Sequence, residues 1–161
     1  SDLYRSFVGI VVRPDQVLAQ REFTDEDGIV HTYDEPLAGE TMHGGPVMLS
    51  WRDVRSAGRD PVTGATLPYA VVIHEFVHVL DLAQGPTEGL PIGLPEDLPP
   101  RLWLGTLQAA YERLCTAVDA EEETLIDPYG AESLTEFFAV SAEAFFVTPA
   151  DLWVEIGRAH V

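Results

Sequence analysis

The sequence predicts an α+β domain, and three observations lead there. Short β-branched runs and turn signals fill the first third, helical periodicity dominates the second half, and the two kinds of segment do not alternate. At 161 residues the chain reads as one domain, residues 1–161, long enough to bury a real core.

The strand-forming segments come first. Residues 7–12 are a compact β-branched run that reads as a buried strand, ended by Pro14. Residues 17–23 form a second extended segment. Asp25-Glu26-Asp27-Gly28 is a turn signal, and residues 29–33 are the return strand of a hairpin. Gly44-Gly45-Pro46 breaks the chain again. Residues 47–51 read as a strand, followed by a short polar helix or turn through Arg59 and a loop over 60–68 that carries Pro61, Gly64 and Pro68.

Helices follow. Residues 70–83 make an apolar helix. Residues 85–100, rich in glycine and proline, form an ordered loop. Leu104, Leu107, Ala110, Tyr111, Leu114 and Val118 recur at helical spacing and predict a helix over 102–118. Asp127-Pro128-Tyr129-Gly130 is a turn. Ser133 is a good N-cap with Glu136 three residues on, the spacing of a capping box. That helix runs to about Val147, and Pro149 ends it.

Composition narrows the function. The net charge of −18 argues against nucleic acid and anionic membrane surfaces as partners, since both would repel the chain. No run of uncharged apolar residues is long enough for a membrane span. The single cysteine, Cys115, allows no internal disulfide and lies in an apolar helical stretch, where it reads as a small core residue. With no basic leader and cleavage site in the first twelve residues, the expectation is a cytoplasmic protein. All nine basic residues are arginine, and asparagine is absent as well, a bias that fits a GC-rich genome.

Chemistry concentrates in His74-Glu75-Phe76-Val77-His78. On a helix, positions i and i+4 lie on one face, so two imidazoles at that spacing can share one zinc ion. Glu75, beside the first, can serve as general base. The flanks are apolar: Val71, Val72 and Ile73 precede the motif, and Val79, Leu80 and Leu82 follow. Two histidines and a glutamate buried there without partners would be costly, and a metal removes that cost.

A catalytic zinc takes a third protein ligand from elsewhere. His31, His43 and His160 are candidates, as are many carboxylates, and Glu136 stands out. It and Glu143 are the two acids of the otherwise apolar stretch 135–146, and positions 136, 140 and 143 share a helical face. A capping-box role for Glu136 competes with ligation, and Glu143 can act by hydrogen-bonding a ligand. Asp81, three residues after His78, can orient a ligand histidine, pair with an arginine, or lie as a plain acid on the helix surface.

His74-Glu75-Phe76-Val77-His78-Val79-Leu80-Asp81, then Asp127-Pro128-Tyr129, then Glu136-Phe137-Phe138-Ala139-Val140-Ser141-Ala142-Glu143-Ala144-Phe145-Phe146, resemble the Mlc titration factor A family of bacterial zinc peptidases. The stretches from Asp25 to His31 and from Gly45 to Trp51 resemble it too, so the likeness covers roughly residues 7 to 150. This family is related in its catalytic fold to the protease domain of anthrax lethal factor. The resemblance implies a gluzincin-like, zincin-type core: N-terminal strands, an active-site helix and a glutamate-bearing helix. It implies one zinc ion held by His74, His78 and Glu136, with Glu75 as general base. Lethal factor has a tyrosine seven residues before its glutamate ligand, placed to stabilise the oxyanion. Tyr129 stands seven before Glu136 and inherits that role by resemblance.

The activity implied is hydrolysis of peptide bonds, aminopeptidase-like on short peptides, with Glu143 or Glu40 available to hold a free amine. Members of the family are longer at both ends, so the chain reads as a naturally short version or a trimmed core. Two other readings stand beside the enzyme: a binding module that sequesters a transcriptional repressor around a structural zinc, and a secreted, toxin-like protease. The intact Glu75 disfavours the first, because a structural zinc site has no use for it.

Overall fold

The computed structural model describes residues 4, 7–25, 28–60, 62–83, 85 and 88–158, the last four as backbone. Five strands lead and five helices follow among these residues, the α+β order expected. Strands β1 (Ile10–Arg13), β4 (Gly39–Thr41) and β5 (Val47–Ser50) form one sheet in the order β1-β5-β4. β1 runs parallel to β5, pairing Ile10 with Val47, and β4 runs antiparallel to β5, pairing Gly39 with Leu49 and Thr41 with Val47. β2 (Val17–Thr24) and β3 (Val30–Leu37) form a separate antiparallel hairpin. Residues 26 and 27 of the expected turn lie outside the described residues. Gly28 closes the turn at φ 80°, a backbone conformation that glycine adopts without steric cost.

Three details depart from the sequence reading. The return strand extends four residues past Tyr33, and only Ala38 separates it from β4. β1 is not buried: Ile10, Val11 and Val12 are all exposed, and among the described residues β1 is an edge strand. Pro149 ends one helix and begins another. The ring cannot continue α4 (Leu134–Val147), but at a first helical position its missing N–H costs nothing, so α5 (Pro149–Arg158) starts on it.

The remaining helices are α1 (Trp51–Ser56), α2 (Val71–Ala83) and α3 (Pro100–Asp119), and a 3-10 turn occupies Pro128–Ala131. Two apolar clusters hold the domain. Val47, Leu49, Val71 and Val79 join the sheet to α2. Leu107, Leu114 and Phe137 join α3 to α4. α2 and α4 pack against each other between the two clusters, which places the polar residues of both helices face to face. Cys115 is half-buried and unpaired. Among the described residues no helix is long and apolar enough to cross a membrane.

Candidate metal centre

The motif histidines sit one turn apart on α2, as the i, i+4 spacing requires, with ring centroids 4.6 Å apart. α4 brings Glu136 to them. Ser133 caps α4 by accepting a hydrogen bond from the Glu136 N–H at 3.1 Å, which is half of a capping box. The other half is missing, because the Glu136 carboxylate turns toward the histidines. Its Oε2 lies 3.0 Å from His74 Nε2 and 3.5 Å from His78 Nε2. Capping by Ser133 thus leaves the glutamate side chain free.

One donor atom from each of His74, His78 and Glu136 lies within 4.8 Å of the others, a cluster able to hold a metal ion. Glu136 Oε2 is buried and makes no hydrogen bond of good geometry, although two imidazole nitrogens lie close to it. A buried carboxylate oxygen aimed between two nitrogens without a directed hydrogen bond suits a shared cation.

Glu143, two turns along the same face of α4, approaches His74 from the other side. Its Oε1 is 2.8 Å from His74 Nδ1, and its Oε2 accepts a hydrogen bond from the Ala70 N–H at the start of α2. With Nδ1 directed at Glu143, Nε2 is the nitrogen left to face Glu136. Burial works against protonation of His74, but Glu136 and Glu143 outweigh it and raise its pKa to about 10 without metal. Burial likewise pushes the Glu136 carboxyl up, and His74 with His78 overcomes this and holds it at about 2. Without metal the two form an ion pair, and a bound cation would take the proton's place.

Glu75 is buried beside the cluster. Burial raises its pKa, opposed by a hydrogen bond from Thr41 and by the nearby histidines. Its carboxylate borders a cavity of about 220 Å³ that His74, Tyr129, Tyr69, Leu37 and Glu35 also line. Tyr129, from the 3-10 turn, stands with its ring centroid 6.1 Å from that of His74. Burial and then the charge of Glu136 raise its phenol pKa, so the group stays protonated and can donate.

The other candidates lie elsewhere. His31 contacts Asp25 at 2.7 Å in the hairpin. His43 lines a separate small cavity with Phe7 and Met42. His160 lies outside the described residues. Glu40 is on the strand face opposite Gly39 and Thr41, and Glu143 is spent on His74 and Ala70, so neither acid is free in the cavity. Asp81 is no surface acid: it is 4 % exposed and accepts a hydrogen bond from Thr135 at 3.1 Å, linking α2 to α4 one residue from Glu136. None of the described residues of the 85–100 loop lines the cavity. Gly39 and Thr41 touch Glu75, and sequence reasoning missed both, since a three-residue strand carries no periodicity.

Comparison with known proteins gives a family match and several relatives. The family model described as "Glucose-regulated metallo-peptidase M90" matches residues 1–158. Mlc titration factor A of Serratia proteamaculans is 34% identical over 148 residues, covering 89% of this chain and 53% of the relative. The Pectobacterium atrosepticum protein of the same name is 30% identical, covering 89% and 52%. An uncharacterized protein of Synechocystis is 33% identical over 163 residues, covering 99% and 57%. The chain thus spans about half the length of these relatives. Matched along nearly its whole length, the chain belongs to the glucose-regulated metallo-peptidase M90 family.

Proposed function

We propose that this domain is a zinc-dependent peptidase with a zincin-like core, acting on short peptides from the amino end. The observation that carries the reading is the convergence of His74, His78 and Glu136 beside a buried Glu75. Two imidazoles and a carboxylate are the donor set of a catalytic zinc site that keeps one position open. A bound zinc supplies Lewis acidity, lowering the pKa of water toward about 7 and polarising a carbonyl.

The chain's own residues do the rest. Glu75 takes a proton from the attacking water and returns it to the leaving amine. Tyr129, held protonated, donates a hydrogen bond to the oxygen on which charge develops. Glu143 keeps the His74 ring in place. The cavity wall carries Glu35 and Asp127, acids suited to a peptide's free amine.

The test pairs metal analysis with digestion of a peptide library, with and without chelator, in the parent and Glu75→Gln. We expect about one zinc per chain in both proteins, and cleavage only in the parent without chelator. Equal cleavage by Glu75→Gln would remove Glu75 from the mechanism.

A second reading has support in the names of two of these relatives, each called Mlc titration factor A. In this reading the domain sequesters a transcriptional repressor, whether or not it also cuts peptides. Capture of such a repressor by Glu75→Gln, with no peptide cleaved, would separate the two activities.

A further inference from the structure

The Glu75 carboxylate is held from outside its own helix. Thr41 Oγ1 lies 2.7 Å from Glu75 Oε2 and 2.9 Å from the Glu75 carbonyl oxygen. A hydroxyl has one proton to give, and the shorter contact to a carboxylate is the stronger, so Oε2 accepts it. Gly39 leaves the room that the other oxygen occupies: a Cβ built there would stand 2.5 Å from Glu75 Oε1. Residues 39 and 41 share one face of a strand, so β4 binds one oxygen of the carboxylate through Thr41 and leaves space for the other at Gly39.

The arrangement is rigid because its backbone is anchored. Thr41 pairs with Val47 and Gly39 with Leu49, and both partners are buried core residues of β5. A glutamate side chain has three rotatable bonds and gives up rotamer freedom to hold one position. A base must stay within a fraction of an ångström of its working place. Helix α2 alone does not provide that.

We propose that Thr41 is a positioning residue for Glu75, with Gly39 leaving the room that position needs. This rests on the peptidase reading, and it separates two roles for the strand. Pairing with β5 builds the sheet, and the Thr41 hydroxyl orients the base.

The test compares the zinc-loaded parent with Thr41→Val, which keeps the shape without the hydroxyl, and with Thr41→Ser, which keeps the hydroxyl. Thr41→Val should lower kcat about 10- to 100-fold with KM within about twofold, as a misplaced base would. Zinc content should not change. Affinity for a peptide hydroxamate, whose proton Glu75 must accept, should fall about 10-fold when measured by calorimetry. Thr41→Ser should restore both. Gly39→Ala gives an independent arm with the same expected pattern, should Thr41→Val fail to fold. A folded Thr41→Val with parental kcat and hydroxamate affinity overturns the proposal, as does a Thr41→Ser as impaired as Thr41→Val. If the parent cleaves no peptide, the peptidase reading falls, while the hydroxamate series still reports on Thr41.

Discussion

Glu143 and His74 are bound at 2.8 Å, and the same carboxylate receives the Ala70 N–H at the start of α2. One acid, 2 % exposed, thus fixes a candidate ligand ring and the entry to the helix that carries it. A negative charge there also favours the positive end of the helix dipole.

Replacing this acid separates those duties. Glu143→Gln keeps an acceptor for Ala70 and loses the charge facing His74. Metal affinity should drop about 10- to 100-fold, the usual cost of losing such a partner, with little change in circular dichroism. Competition with a chromophoric chelator measures it, and parental affinity would leave Glu143 as a helix cap alone.

Metal removal should cost stability. A ligand at 100 times its Kd stabilises by about 2.7 kcal/mol, roughly 5–10 °C in a domain of this size. Chelator should lower the parent's melting temperature by that order. Glu136→Ala should melt at the same temperature with or without zinc. A zinc-dependent shift that survives in this variant would place the third ligand elsewhere.

Without metal, the His74–Glu136 pair sets a pH window. The His74 value of about 10 lies above its ordinary 6.5, so its contribution is complete below 6.5 and is lost as pH rises toward 10. The Glu136 value of about 2 lies below its ordinary 4.5, so its contribution is complete above 4.5 and is lost as pH falls toward 2. The metal-free parent should therefore exceed Glu136→Gln in stability most between about pH 4.5 and 6.5, with the gap narrowing on both sides. Urea titrations across pH 3–10 measure the gap. A gap that stays constant would mean the pair is not charged.

Gly130 lies where the 3-10 turn meets α4. A Cβ there would stand 2.6 Å from Val140 Cγ2 and 3.3 Å from the Phe137 Cα. Gly130→Ala should cost about 1–3 kcal/mol through overpacking. It should also disturb the neighbouring Tyr129, so kcat should fall along with thermal stability. A variant as stable as the parent would show that the turn can shift.

Much of the centre is legible in the sequence because its parts are local. The i, i+4 histidines need only a helix, and the Ser133 cap with the 136–143 spacing places two carboxylates on one face of the next. The meeting of the two helices is not local, and there the resemblance carried more than the periodicity did. Thr41 was invisible because its role depends on β4 pairing with β5 and then crossing α2. β1 reads as buried from its residue types, yet its exposure depends on which neighbours flank it. Pro149 shows the same limit: a proline marks a boundary without saying whether a helix begins there.

His74 is clasped by two acids from a single helix, and that gives α4 the character of a gauge block. The seven steps from Glu136 to Glu143 span about 10 Å, and each step turns the helix by about 100°. Insertion or loss of one residue between them would swing one carboxylate off the imidazole however well the new residue packed. Homologues that keep this centre should therefore vary in letters across that interval and never in length.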